Sequence, residues 1–265
     1  AHWHVQIMGE SGPTVLLLHG AGASVHMWRA ILPRLAETHR VVALDLPGQG
    51  FTEPRGFGRF TLPAMAKDIG ALLDQEAIAP DLIVGHSAGA AIALAMVLHE
   101  CTARGVFVIN GAISPFRGVA GLLFPPVATM LALGPFTPQI FARTVTEVSG
   151  EKLIQGTGSA LDATGLALYL QLFRDPGHVR ATLRMMADWA LPPLIDQFPK
   201  ISLPVHLHIG EADQAVPLAQ TVSVAAGLPD ARITTHPGAG HLMYEEDPET
   251  FANLIAAAAA ENKSA

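Results

Sequence analysis

Leu82-Ile83-Val84-Gly85-His86-Ser87-Ala88-Gly89-Ala90-Ala91 is the stretch on which the reading of this chain turns. It begins as a continuous apolar run without alternation, as expected of a strand buried on both faces of a parallel sheet. It ends by opening an Ala-rich helix. Between the two stands Gly85-His86-Ser87-Ala88-Gly89, and a strand followed by a sharp turn and a helix is the context a nucleophile elbow needs. In such an elbow the serine takes a strained backbone conformation, and its small neighbours let strand and helix approach closely. The hydroxyl is then exposed at the carboxyl end of the sheet. Gly-x-Ser-x-Gly alone is weak evidence in a chain with 25 glycines, and an ordinary Gly-rich βα turn would use the same residues. The buried strand ahead of it makes the motif informative.

Working outward, further apolar runs span 3–8, 14–19, 40–45, 81–86, 105–110, 204–210 and 231–236. Helical patterns fall near 24–38, 61–78, 88–101, 217–227 and 248–260, and the Ala256–Ala260 run closes the last of them. This alternation predicts an α/β fold, a mostly parallel sheet covered by helices. The rhythm breaks between about 113 and 198, where no strand is convincing and Pro and Gly punctuate helical pieces rich in Leu, Met, Phe and Ala. The expected organisation is a core of 1–112 and 199–265 with a helical cap of 113–198. Within that insertion, Gly118 to Ala142 is 25 residues without a charge, long enough for a membrane span. Pro125, Pro126, Pro135 and Pro138 interrupt it, and each removes a helix donor. A lipid-facing helix so broken would leave backbone groups unsatisfied, so the segment reads as an apolar cap over a pocket, with a face that can meet a membrane surface.

A serine hydroxyl needs a base to take its proton, and the base needs a third group to orient it. The expected chain order is Ser, acid, His. Asp213 stands in the loop after the strand 204–210, on the same edge as Ser87, with Glu211 two residues earlier as its rival. His241 follows the strand 231–236 in Pro237-Gly-Ala-Gly-His241, where small residues leave it free to reach the site. The oxyanion donors expected are the amides of Ala88, just after the serine, and of Ala21 in His19-Gly20-Ala21-Gly22-Ala23, with Gly22 as the alternative.

Eleven other histidines compete with His241. His86 precedes the serine and would point away from it, in a structural role. His206 and His208 lie two apart on a strand and resemble a metal pair, but no third ligand is near and packing is the expected role. His26, His39, His99 and His178 sit on predicted helices or their ends and are expected to be solvated. Asp45 ends a strand and is expected to brace the turn Leu46-Pro47-Gly48-Gln49-Gly50.

Half of the 265 residues are hydrophobic and 15% are charged. Mean hydropathy is +0.35, which calls for a large core or an apolar working surface. Net charge is −7 with only 16 scattered Lys and Arg, which argues against a nucleic-acid surface. Cys101 is the only cysteine, so no intrachain disulfide forms and a reducing compartment, the cytoplasm, is the natural reading. Its place at the end of an apolar helix marks it as inert and buried. Ala1-His2-Trp3-His4 has neither a basic segment nor an apolar core of the signal-peptide kind, and without an initiator Met the numbered chain is expected to be trimmed or to start late.

Taken together, His19-Gly20, Asp45-Leu-Pro-Gly-Gln-Gly50, Gly85-His-Ser-Ala-Gly89, Asp213 and Gly240-His241 resemble the α/β-hydrolase superfamily over essentially the whole chain. More narrowly, Trp3-His-Val-Gln6, His26-Met-Trp-Arg29 and Pro237-Gly-Ala-Gly-His241 are similar to the magnesium-chelatase accessory proteins of bacteriochlorophyll synthesis, the BchO group. The resemblance implies an eight-stranded sheet, a cap inserted after the sixth strand, a Ser87-Asp213-His241 triad, and no metal or organic cofactor. Gln49 stands where a histidine is more usual, and the chain begins at what looks like the fold's second strand.

Two functions are expected to compete. One is a serine hydrolase acting on an ester-type bond of a hydrophobic, tetrapyrrole-related substrate; carbon–carbon hydrolysis or cofactor-free perhydrolysis would use the same parts. The other is a porphyrin-binding accessory protein for magnesium chelatase, with catalysis secondary or lost. The cap would allow a place peripheral to the inner membrane. The hydrolase is the expected reading of the two, because a triad costs strain at the elbow that a mere carrier need not keep; a scaffold with no pocket chemistry is the third and least expected.

Overall fold

A computed structural model of the chain describes residues 2–53, 59–99, 101–114, 134 and 136–261. The seven apolar runs form β1 (Val5–Met8), β2 (Thr14–Leu18), β3 (Arg40–Leu44), β4 (Leu82–His86), β5 (Gly105–Ile109), β6 (Val205–Gly210) and β7 (Ala231–His236). They make one sheet in the order β1-β3-β2-β4-β5-β6-β7. Only the edge strand β1 runs antiparallel, against β3. The resemblance implies eight strands; the described residues hold seven, and His2 to His4 ahead of β1 form no further strand. The helical insertion follows β5, the fifth described strand, where the resemblance implies the sixth.

Helices fill the crossovers. They are α1 (Leu32–Leu35), α2 (Leu62–Gln75), α3 (Ala88–Val97), α4 (Thr137–Thr144), α5 (Glu147–Gln155), α6 (Ala163–Phe173), α7 (Pro176–Asp188), α8 (Pro192–Ile195), α9 (Leu218–Ala225), α10 (Met243–Glu246) and α11 (Pro248–Glu261). The helix expected over 24–38 is two pieces, a 3-10 turn at Val25–Trp28 and α1. Pro33 lies at the start of α1 and cannot donate back to Arg29, so one continuous helix cannot form there. Helices α4 to α8 all lie between β5 and β6, and the described part of 113–198 contains no strand. Most of the uncharged stretch 118–142 lies outside the described residues, and its end falls in α4. No described helix is long and apolar enough to cross a membrane.

Every residue of β2, β4 and β5 is buried, which is why these strands read as unbroken apolar runs. Their side chains still alternate between two core layers. Leu16, Leu18, Ile83, Val106 and Val108 face α2 and α3 with Met65, Ile69 and Ile92. Val15, Leu17, Leu82, Val84 and Phe107 face the other side, with Trp28, Tyr244, Phe251 and Ile255. Helix α3 is apolar all round because nine of its residues, Ala88 to Met96, are buried, and it packs backbone to backbone. A Cβ on Gly89 would stand 2.3 Å from the carbonyl oxygen of Leu18 in β2, and one on Gly85 would stand 2.5 Å from the backbone of Ala90. The flanking glycines of the serine motif therefore set how closely α3 sits on the sheet.

That contact yields a stability test. Gly89→Ala is expected to cost about 3 kcal/mol, the upper part of the overpacking range, because the clash is with backbone that cannot rotate away. Equilibrium denaturant unfolding measures it, and a change below about 1 kcal/mol would contradict the packing described.

Candidate active site

Ser87 follows β4 with φ 50° and ψ −115°, one of three non-glycine residues at positive φ among those described. An L residue occupies this region only when its surroundings over-determine it. They do so here. The Ser87 amide donates to the Ile109 carbonyl at 3.0 Å, and the Ser87 carbonyl accepts from Ala112 at 2.9 Å and Ala90 at 3.1 Å. Ser87 is partly exposed while its neighbours His86 and Ala88 are buried. Gly20 passes directly over the elbow; a Cβ there would stand 3.1 Å from Ser87 Cβ and 2.7 Å from His86 Nδ1.

Asp213 and His241 meet as the chain order predicts. Asp213 Oδ2 lies 2.7 Å from His241 Nδ1, and both residues are buried. The other carboxylate oxygen, Oδ1, accepts from the amides of Ala215 at 2.7 Å and Val216 at 2.9 Å, which fixes the carboxylate's rotation. With Nδ1 engaged by an acceptor, Nε2 is the nitrogen of His241 left for other chemistry. Glu211, the rival acid, is exposed and has no part in this contact.

His86 takes the structural role expected of it, packed against His241. Its Nε2 lies 3.0 Å from the His241 carbonyl, and its ring packs on those of His241 and Tyr244 at 4.6 and 4.9 Å. A carbonyl only accepts, so Nε2 carries the proton, and burial holds the ring neutral by pushing its pKa well down. Asn110 is a participant that the sequence reading missed. Fully buried at the end of β5, it donates from Nδ2 to the carbonyls of Gly240 at 2.9 Å and His241 at 3.0 Å, and accepts from Gly210 N–H at 2.7 Å. One amide side chain thus ties the ends of β5 and β6 to the loop of His241. The available signal was a lone Asn closing an apolar strand at the site's edge.

The loop after β2 is stitched to the loop after β3. His19 Nε2 accepts from Leu46 N–H at 2.8 Å, and its Nδ1–H donates to the Gly20 carbonyl at 2.7 Å. Both assignments follow from the partners, since an amide only donates and a carbonyl only accepts. Burial lowers the His19 pKa, consistent with that neutral tautomer. Gln49 Oε1 accepts from Gly22 N–H at 2.7 Å, so Gly22 is not free as an oxyanion donor. No hydrogen bond among the described residues engages the amides of Ala21 and Ala88. Asp45 braces its turn as expected, accepting from Phe51 N–H at 2.9 Å, and also reaches Val25 N–H at 2.7 Å and His4 Nδ1 at 2.8 Å.

Helix α7 closes over these loops. Gln49 Nε2 donates to Met185 Sδ at 3.1 Å, Thr182 Oγ1 lies 3.5 Å from Gln49 Oε1, and Gly50 N–H donates to His178 Nδ1 at 3.0 Å. Here the expectation for the helix-end histidines needs correction. His99 is exposed, but His39 and His178 are buried and His26 is mostly so. They sit on inward faces, and desolvation lowers His26 to about 3 and His178 to about 4. His206 and His208 pack as expected: His208 stacks on Phe107 at 4.3 Å and meets His236 at 2.9 Å. The described residues contain no cluster able to hold a metal. Cys101 is half-buried, and burial pushes its thiol up.

Helix α10, directly after His241, carries a buried carboxylate. Glu245 accepts from Arg29 and, at 2.9 Å, from Tyr169 of α6, and Arg29 also reaches Asp162 at 3.3 Å. Burial dominates over these partners and lifts Glu245 to about 7.

The alpha/beta hydrolase family model matches residues 15–254. The chain is 40% identical over 254 residues to the magnesium-chelatase 30 kDa subunit of Rhodobacter capsulatus, covering 96% of this chain and 89% of that one. It is 27% identical over 253 residues to a pimeloyl-[acyl-carrier protein] methyl ester esterase of Aeromonas hydrophila, covering 92% of this chain and 94% of that one. An esterase from Exiguobacterium antarcticum superposes with a TM-score of 0.80 at 20% identity, covering 97% of this chain and 95% of that one, which speaks for the fold.

Two predictions follow from the buried polar groups. Asn110→Ala removes three hydrogen bonds and strands the buried Gly210 amide, so it should cost about 3 kcal/mol in denaturant unfolding. A loss below about 1 kcal/mol would contradict the bracing role. For Glu245, folding raises the pKa from 4.5 to about 7. The stability this group contributes is therefore complete below about pH 4.5 and is lost as pH rises through about 7. Thermal unfolding between about pH 5 and 8 should show wild type losing stability relative to Glu245→Gln as pH rises. A constant difference would mean the carboxyl does not titrate in that window.

Proposed function

The chain belongs to the alpha/beta hydrolase family, and within it we propose a serine hydrolase acting on an ester-type bond of a hydrophobic substrate. The observation that carries this reading is the 2.7 Å contact of buried Asp213 with His241 Nδ1 at the same sheet edge as the strained Ser87. In the reaction, Ser87 Oγ attacks the substrate carbonyl and His241 takes its proton on Nε2. Asp213 holds the tautomer and stabilises the imidazolium. The tetrahedral oxyanion is received by the amides of Ala21 and Ala88. His241 then gives its proton to the leaving alcohol, and the acyl-enzyme is hydrolysed by water through the same steps in reverse roles. This reading uses no metal or organic cofactor.

Residues 113–198 serve as a helical cap on a core of 1–112 and 199–265. The ties of α7 to Gln49 and Gly50 support that division. Exposed Phe136 just before α4 and Ile140 on it, with Val148 and Leu153 on α5, give the cap an apolar exterior that suits a membrane surface or a greasy substrate. The kinship with a magnesium-chelatase subunit supports a tetrapyrrole-related substrate in bacteriochlorophyll synthesis. It also supports a second reading, a porphyrin-binding accessory protein of magnesium chelatase with little or no catalysis.

A fluorophosphonate probe separates them. The intact protein should be labelled at Ser87, and Ser87→Ala should lose labelling while keeping its fold; absent labelling, or equal labelling of the variant, overturns the hydrolase. Asp213→Asn should slow acylation by about 10⁴-fold, because the wrong histidine tautomer is then favoured. Full complementation of a pigment-making host by Ser87→Ala would favour the accessory protein.

A further inference from the structure

Thr157, Gly158 and Ser159 lie between α5 and α6, inside the helical insertion; Thr157 Oγ1 and the Thr157 and Gly158 amides bond back to α5, while the Thr157 carbonyl and Ser159 Oγ meet the two loops that carry Asp213 and His241. The Thr157 carbonyl accepts from the amide of Gln214, next to Asp213, at 3.1 Å and from the amide of His241 itself at 3.3 Å. Ser159, itself buried, accepts on Oγ from Leu242 N–H at 2.8 Å. Ala160 N–H donates to Glu246 Oε1 at 2.7 Å. A single backbone carbonyl thus bridges the acid's loop and the base's loop.

The fit is backbone against backbone, which leaves it little freedom. Gly158 has φ +85°, and a Cβ there would stand 2.1 Å from the Ala212 carbonyl oxygen. From the other side, a Cβ on Gly240 would stand 2.1 Å from the Gly158 carbonyl and 2.4 Å from Ser159 Oγ. Core groups hold His241 at its carbonyl, through Asn110 and His86 at 3.0 Å each. Its amide is held only from the insertion, among the described residues.

We propose that Thr157-Gly158-Ser159 is a positioning clamp: the insertion sets the relative placement of Asp213 and His241 as well as covering the site. The clamp rests on the hydrolase reading for its catalytic meaning, but its geometry can be tested without it. A cap that only binds substrate would act on KM; a clamp acts on the acylation step, where a displacement of about 1 Å costs about 100-fold.

The test compares wild type with Gly158→Ala, each checked for folding by circular dichroism and thermal unfolding. Three quantities are read: the low-field proton resonance of the His241–Asp213 hydrogen bond, the rate of fluorophosphonate labelling, and kcat and KM for p-nitrophenyl butyrate. The clamp predicts a lost or shifted resonance, labelling slowed about 100-fold, and a fall in kcat greater than any rise in KM. An unchanged resonance and labelling rate in a folded variant, or an effect confined to KM, overturns it. Should wild type not label at all, the hydrolase reading falls, and the resonance alone decides the clamp. Should Gly158→Ala not fold, Ser159→Ala decides in its place: it removes one tie, and the clamp predicts a smaller shift of the resonance with labelling slowed several-fold, whereas no change in either overturns it.

Discussion

Ser87 holds a backbone conformation, φ 50°, that a residue with a Cβ avoids, and much of the molecule can be understood as the means of keeping it there. The turn is forced because β4 must end and α3 begin without an intervening loop. That is feasible only because Gly85, Gly89 and Gly20 let three pieces of backbone come within distances that any side chain would forbid. The surrounding strands supply the hydrogen bonds: Ile109 from β5 takes the serine's amide, and Ala112 just beyond β5 donates to its carbonyl. A sheet whose central strands are buried on both faces is stiff enough to maintain this, and its parallel run brings every following loop to the same edge.

At that edge, loops are held by neutral, fully buried polar groups. His19 joins the loops after β2 and β3, while Asn110 joins β5, β6 and the loop of His241. His86 fills the space beneath His241. These imidazoles stay uncharged because burial penalises the cation; His19, with one donor and one acceptor, stitches an amide to a carbonyl, and His86 donates to the His241 carbonyl. The same tactic extends into the insertion. Gln49 and His178 connect α7 to the loop after β2 and to the Asp45 turn, and Thr157 connects the insertion to the loops of Asp213 and His241. Core and insertion therefore share one hydrogen-bonded rim.

The legible parts of this design are those with a local cause. Unbroken apolar runs such as Leu82-Ile83-Val84 announce buried strands, and Gly85-His86-Ser87-Ala88-Gly89 announces the elbow because its backbone demand is met by residue types alone. Asp213 and His241 were legible because each follows a strand that ends on the serine's edge. The parts that were not legible depend on contacts distant in sequence. His178 reads as a solvated helix histidine until α7 is laid over Gly50, 128 residues away. Asn110 reads as the end of a strand until the loop of His241, more than a hundred residues on, closes over it. Gln49 reads as a departure from a more usual histidine; in place, its side-chain carbonyl takes up the Gly22 amide, 27 residues away. Gly158 is one glycine among 25 in a Gly-punctuated insertion, and nothing local distinguishes it.

The proposed acyl-transfer site joins Ser87, His241 and two backbone amides at one edge of the sheet. A crystal structure of the protein after reaction with a fluorophosphonate tests it most directly. The expected adduct has phosphorus bonded to Ser87 Oγ, the phosphoryl oxygen within hydrogen-bond reach of both the Ala21 and Ala88 amides, and His241 Nε2 facing the serine oxygen. An adduct on another residue, or a phosphoryl oxygen turned away from those two amides, would contradict it.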